Sequence, residues 1–230
     1  MSRVARAIRA PLRVGMELVA LRQRRSFGLD GLDLKLLEFL PLRKGFFVEA
    51  GANDGLRQSN TAYLERYRGW RGLLVEPIPE LASSCRRNRP RSTVEQCALV
   101  PFDFAGATVE MTYCNLMSLV RGARGSQAAE TAHLERGQRH LAPGEHTYSV
   151  VVPARSLTEV LECHRVTRID LLSLDIEGFE AQALRGLDFE RYRPVHILVE
   201  ANDPASIQAL LDPYYELKAH LSHHDRLYVS

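Results

Sequence analysis

Phe46-Phe47-Val48-Glu49-Ala50-Gly51-Ala52-Asn53-Asp54-Gly55 is a short apolar run that breaks into an acidic turn punctuated by glycine. Apolar residues after Gly45 and before Gly51 predict the end of a buried strand, and Gly51 and Gly55 give a backbone that can bend sharply and approach a ligand. A second acidic strand end follows at Leu73-Leu74-Val75-Glu76-Pro77, one strand-helix-strand unit later. That spacing suits a nucleoside, with the turn holding its tail and the next strand offering a carboxylate to its ribose hydroxyls.

The glycine pattern chooses among nucleosides. A dinucleotide turn reads Gly-x-Gly-x-x-Gly, because pyrophosphate must lie against bare amides at a helix N-terminus. This turn reads Glu-x-Gly-x-Asn-x-Gly. Glu49 would repel a diphosphate and pair with the cationic amino end of S-adenosylmethionine, which disfavours an NAD-binding Rossmann protein. Two other readings stay open: a structural strand-to-helix turn, and a non-catalytic nucleotide-fold binding module that keeps the acids without an acceptor site.

Further along, Ile169-Asp170-Leu171-Leu172-Ser173-Leu174-Asp175-Ile176-Glu177-Gly178 predicts another strand that ends in acids, and Leu198-Val199-Glu200-Ala201-Asn202 one more. In open alternating sheets ligands gather outside the carboxyl ends of the strands, so Glu49, Glu76, Asp175 and Glu200 are expected along one rim. Residues 59–67 predict a helix, with Ser59, Asn60 and Thr61 at its start either as caps or facing the carboxylate of a cofactor. Helices are expected at 32–42, 79–88, 157–162, 179–187 and 204–211, strands at 93–100, 107–113, 147–152 and 195–199, and a closing antiparallel pair at 214–220 and 226–229. Between 122 and 144 the pattern loosens into a long loop, the natural place for a substrate lid, and His133, His140 and His146 read as surface residues there.

Phe47 to Gly55, Ser59-Asn60-Thr61, Gly69-Trp70-Arg71-Gly72 running into Leu73 to Pro77, and Ile169 to Glu180 occur in an order that resembles the FkbM-type S-adenosylmethionine-dependent methyltransferases. The likeness covers residues 34–229. It implies a Rossmann-like class I α/β fold, mostly parallel with a C-terminal antiparallel hairpin, and O-methylation of a sugar, glycan or natural-product hydroxyl. It nominates Glu49, Gly51, Ala52, Asn53, Gly55, Asn60, Thr61, Glu76, Pro77, Ala98 and Asp175 for the cofactor. Glu49 departs from the family's common Asp by one methylene. The domain is expected at 32–230, with a variable insertion at about 101–149, after a basic extension at 1–31.

Methyl transfer to a hydroxyl needs a group to take the proton, and Asp175 is the first candidate, with Glu177 and Glu200 behind it. The alternative gives Asp175 to the cofactor's amino group and Glu177 to a helix cap. One of His223 and His224 is a further candidate base, against an exposed turn. Asp175, Glu200 and Asn202 offer oxygen ligands suited to Mg²⁺, which is not favoured over a metal-free site.

The chain of 230 residues is long enough for one domain with a substantial core. A net charge of +2 gives no argument for nucleic acid, and no apolar run reaches the length of a membrane span. Cys85, Cys97, Cys114 and Cys163 lack metal or redox spacing and read as free thiols of a reducing compartment, the cytoplasm. Residues 1–25 carry seven arginines and one acid, Glu17, with Val4, Ile8 and Leu12 at helical spacing. That stretch reads as a solvated leader, with weak peripheral membrane contact or an organellar presequence as alternatives.

Overall fold

The computed structural model describes residues 26–40, 43–123 and 125–230. The readings placed on residues 1–25, and the end of the helix expected to reach Leu42, fall outside the described residues.

A seven-stranded sheet is built from β1 (Phe46–Ala50), β2 (Arg71–Val75), β3 (Thr93–Glu95), β8 (Leu171–Leu174), β9 (His196–Glu200), β10 (Glu216–His220) and β11 (Asp225–Val229), in the order β10-β11-β9-β8-β1-β2-β3. All neighbours from β9 to β3 run parallel, and β11 enters antiparallel between β9 and β10. This is the expected α/β class. The central strands are apolar on both faces because helices cover both. Val48, Ala50, Leu73, Val75, Leu172 and Leu174 build one core, and Phe47, Leu74, Leu171 and Leu198 build the other with Leu36, Leu64 and Trp70. Each Val, Leu or Phe side chain among these taken fully out of water contributes about 1.5–3 kcal/mol. Trp70 is wholly buried, and a Cβ at Gly45 would lie 2.7 Å from its ring.

The helices are α1 (Leu32–Lys35), α2 (Ala62–Arg68), α3 (Pro79–Asn88), α4 (Gln127–Gln138), α5 (Leu157–Cys163), α6 (Glu180–Leu184) and α7 (Pro204–Leu211). Local chemistry sets several of their ends. Proline, whose missing N–H costs nothing in a first turn, starts α3 and α7. A reciprocal cap starts α5, where Glu159 N–H donates to Ser156 Oγ at 3.2 Å and Ser156 N–H donates to Glu159 Oε2 at 2.7 Å. The expected helix at 32–42 is instead α1 between two 3-10 turns, Leu29–Gly31 and Leu36–Glu38.

Two expectations are corrected. The strand foreseen at 93–100 forks: β3 stays with β2, while β4 (Ala98–Leu99) joins β5 (Thr108–Tyr113), β6 (Leu119–Val120) and β7 (Tyr148–Arg155) in a second sheet ordered β4-β7-β5-β6. The last bond of the first ladder is Glu76 N–H to Glu95 O at 3.1 Å, and Pro77 has no N–H with which to extend it. The loop foreseen at 122–144 contains α4, whose N-cap Ser126 accepts from Ala129 N–H at 3.2 Å. Its buried residues are His133 and Gly137, so it has no apolar stripe for sequence periodicity to reveal.

Candidate functional site

Chain order reverses at β1, which pairs with β2 on one side and with the much later β8 on the other. The carboxyl ends of these strands therefore form a crevice at a topological switch point. Gly51 turns the chain out of β1 at φ 80°, and its N–H donates to Val75 O at 3.1 Å. A Cβ there would lie 1.8 Å from the carbonyl oxygen of Asp175, so only glycine lets β1 and β8 end side by side. Asn53 adopts φ 49°, the left-handed region that asparagine tolerates better than most side chains.

Two backbone amides fix Glu76. Asn53 N–H donates to Oε2 at 2.8 Å and Ile78 N–H to Oε1 at 2.9 Å, which leaves each oxygen a further lone pair. Burial pushes the Glu76 carboxyl up to about 7, against the opposing pull of those amides. Asp175 is likewise raised well above the usual carboxylate range, by burial and then by the charges of Glu200 and Glu177. Glu177 holds a left-handed backbone at φ 58°, and its Oε2 lies 3.6 Å from Nε2 of His133. That nitrogen also sits 3.0 Å from Met117 O, an acceptor, so it carries the proton in this contact. His133, expected on the surface, is 1% exposed, because α4 packs it over the rim.

Between the strand ends and the second sheet lies a cavity of about 800 Å³, counting space open to solvent, in the size range of small-molecule sites. Of the nominated residues it gathers Gly51, Asn53, Glu76, Pro77, Ala98, Asp175 and Glu177 in its lining. Leu99, Met111, Val120 and Phe179 make an apolar wall beside Ala98, while Arg57, Gln58, Asn115 and Ser118 add polar groups. Arg57, Gln58, Met111, Asn115, Ser118 and Val120 were not singled out in the sequence. Met111, Asn115, Ser118 and Val120 come from the insertion, where no motif marks them, and Gln58 and Asn115 owe their place to left-handed backbones at φ 56° and 53°. Asn115 is held by Glu145, which accepts from its Nδ2 at 2.7 Å and from Tyr113 Oη.

Glu49, Ala52, Gly55, Asn60, Thr61 and Glu200 are absent from that lining. The Glu49 carboxylate points into the protein: Ser59 Oγ is 3.0 Å from both oxygens, Asn60 N–H donates at 2.8 Å and Thr61 Oγ1 at 2.6 Å. Arg89 Nη1 stands 3.6 Å from it. Arg89, itself 2% exposed, also donates to Glu65 Oε2 at 2.9 Å, Gly55 O at 2.9 Å and Thr61 Oγ1 at 3.0 Å. This network fixes the turn from beneath. Ser59, Asn60 and Thr61 thus face Glu49 where a cofactor carboxylate was expected.

Glu200 accepts from Asn202 Nδ2 at 2.8 Å, beside Asp225 on β11. Among the described residues no three His, Cys, Asp or Glu side chains form a metal-holding group. His223 and His224 are exposed in the β10–β11 turn and do not line the cavity. Cys97 does line it, but burial pushes its thiol up to about 12, which keeps it protonated and inert.

Residues 49–227 match the methyltransferase FkbM domain. Methyltransferase 1 of Beauveria bassiana is 30% identical over 170 residues, which cover 69% of this chain and 65% of that protein. Methyltransferase sdnD of Sordaria araneosa is 30% identical over 195 residues, or 75% of this chain and 72% of that protein. A TehB-like SAM-dependent methyltransferase from Corynebacterium glutamicum overlays with a TM-score of 0.41 at 10% identity, over 97% of this chain and 96% of its own, a likeness too loose to bear on the site.

Proposed function

This chain belongs to the FkbM methyltransferase family, and on that premise we propose that it moves a methyl group from S-adenosylmethionine to a hydroxyl of a sugar, glycan or natural product. The observation that carries the reading is Glu76, pinned by two amides with one lone pair left on each oxygen. Such a carboxylate accepts from both hydroxyls of a vicinal diol, the pattern of a ribose. Gly51 and Asn53 would shape the turn beside it, and Pro77, Ala98 and Leu99 supply apolar surface for a flat base. With Glu49 turned inward, Asp175 and Glu177 are the carboxylates left to meet the cofactor's positive end.

S-adenosylmethionine supplies an already activated methyl group, leaving this chain the tasks of positioning the acceptor and handling its proton. Asp175 is assigned as the general base, with Glu177 beside it. A carboxyl raised above its usual range by burial is a stronger base than a free one, which suits proton abstraction. A cation nearby favours the ionised form of Asp175, so loading of the donor readies the base. His133 holds Glu177 from the cover, and Arg57 and Asn115 present donors to a hydroxylated acceptor. The free cysteines fit a cytoplasmic setting, and among the described residues no helix is long and apolar enough to cross a membrane.

Calorimetric titration with S-adenosylhomocysteine and with NAD tests the cofactor, and labelled methyl donor with a panel of saccharides tests the acceptor. We expect S-adenosylhomocysteine alone to bind and label to appear on a sugar hydroxyl. Silence toward S-adenosylhomocysteine would end the proposal.

A further inference from the structure

Asn115, in the turn between β5 and β6, lines the cavity with a carboxamide held at both ends, and one of the two residues that hold it, Glu145, stands outside the lining. Asn53 supplies the hold from the strand ends, where its Nδ2 lies 3.5 Å from Asn115 Oδ1. Asp54 decides which end of Asn53 faces Asn115: its N–H donates to Asn53 Oδ1 at 2.8 Å, which turns the amide nitrogen outward. Glu145 supplies the second hold, with its Oε1 accepting from Asn115 Nδ2 at 2.7 Å. A carboxylate only accepts, so it demands that nitrogen. Turning the Asn115 amide over would set its oxygen against the carboxylate and its nitrogen against the nitrogen of Asn53. Both neighbours therefore impose the same order.

Glu145 is itself fixed. Its Oε1 also accepts from Tyr113 Oη, and its Oε2 accepts from Ala142 N–H at 2.8 Å. Tyr113 stacks on Tyr148 with ring centroids 4.7 Å apart. Burial works to raise the Glu145 carboxyl, but hydrogen bonds from Tyr113, Ala142 and Asn115, with the charge of Arg57, outweigh it and hold the group below its usual range. Near neutral pH it is an anion. The Asn115 backbone is constrained as well, because Ser118 Oγ donates to its carbonyl at 2.7 Å and accepts from Cys114 N–H at 2.9 Å.

We propose that Glu145 is a positioning residue for the methyl acceptor: it locks the Asn115 carboxamide so that one N–H and one lone pair meet the acceptor in a set order, and that order selects among acceptor hydroxyls. This rests on the reading of the cavity as a site of methyl transfer to a hydroxylated molecule. After its two holds Asn115 keeps one N–H on Nδ2 and one lone pair on Oδ1. An amide free to turn over would accommodate hydroxyls arranged in either sense. A locked amide leaves a polar group unpaired against the wrong arrangement, which is the source of discrimination.

The test is steady-state kinetics with labelled S-adenosylmethionine and the saccharide panel. Glu145→Ala should raise the acceptor KM about tenfold and narrow the spread of kcat/KM across the panel, with kcat, S-adenosylhomocysteine affinity and thermal unfolding nearly kept. Glu145→Gln, whose amide oxygen accepts the same bond, should restore the KM. Were Glu145 acting through its charge on Arg57, the Gln variant would fail as the Ala variant does. On an Asn115→Ala background, Glu145→Ala should add nothing, because the two residues act in series. A wild-type KM in Glu145→Ala, no rescue by Glu145→Gln, or additive losses in the double variant would overturn the proposal. A wild type that binds S-adenosylhomocysteine but labels no saccharide would overturn it together with the acceptor class, and one that ignores S-adenosylhomocysteine would overturn it at its premise, the cofactor.

Discussion

Glu49 and Glu76 stand on neighbouring strands and look equivalent in the sequence, yet they do opposite things. Glu49 lies inside β1, where strand alternation sends its side chain to the same face as Phe47, and there it meets Arg89 and three further donors. Glu76 lies one residue past the end of β2, where the backbone has turned, and it faces the cavity with two amides and no cation. The other two rim acids divide the same way. Asp175 follows the end of β8 and lines the cavity, while Glu200 is still within β9 and does not. An acid within a strand supports the fold, and an acid just beyond one is available for chemistry.

The sharpest way to break this comparison is Asp175→Asn. It should lower kcat by about 10²–10⁴-fold with S-adenosylhomocysteine affinity nearly kept, as removal of a general base does. Full turnover in that variant would take the base assignment away from Asp175.

On the structural side, Arg89→Met leaves Glu49 and Glu65 buried without their cation and should destabilise the fold by about 3–5 kcal/mol, read as a shifted urea midpoint. An unmoved midpoint would show that Arg89 is not what holds Glu49 inward.

The smallest effect sharpens the contrast through pH. Hydroxyl donors favour the ionised Glu76, so S-adenosylhomocysteine affinity should fall as pH drops below about 7, by at most about tenfold per unit, and Glu76→Gln should flatten the curve. Stability has the reverse sign. Because the Glu76 pKa is raised from 4.5 to about 7 on folding, its favourable contribution is full below the lower value and is lost as pH climbs through the higher one. Wild type should therefore lose stability relative to Glu76→Gln across that window, and parallel urea midpoints would contradict the burial of an uncompensated carboxyl.

Much of the fold was legible because its signals are local. Pro79 and Pro204 mark helix starts, apolar runs mark the double-faced strands, and Gly51 marks the turn. The candidate site was legible wherever a residue follows a strand end, as with Glu76, Pro77 and Asp175. What escaped depends on distant partners. Arg89 closes α3 and resembles a surface residue until its contacts with Gly55, Thr61 and Glu65 are seen. His133 sits on a helix with no apolar stripe, and only the fold brings it to Glu177.

The forked stretch 93–99 has one more implication. By giving an edge to each sheet, it fastens the roof of the pocket to the floor through the backbone itself, and the roof returns through β7 straight into the capped start of α5. Both ties lie along one margin of the roof, because β4 and β7 are neighbours in its strand order. Descendants of this chain that take up new acceptors would do so by exchanging side chains along the turn at 115–118, while the machinery below stays undisturbed.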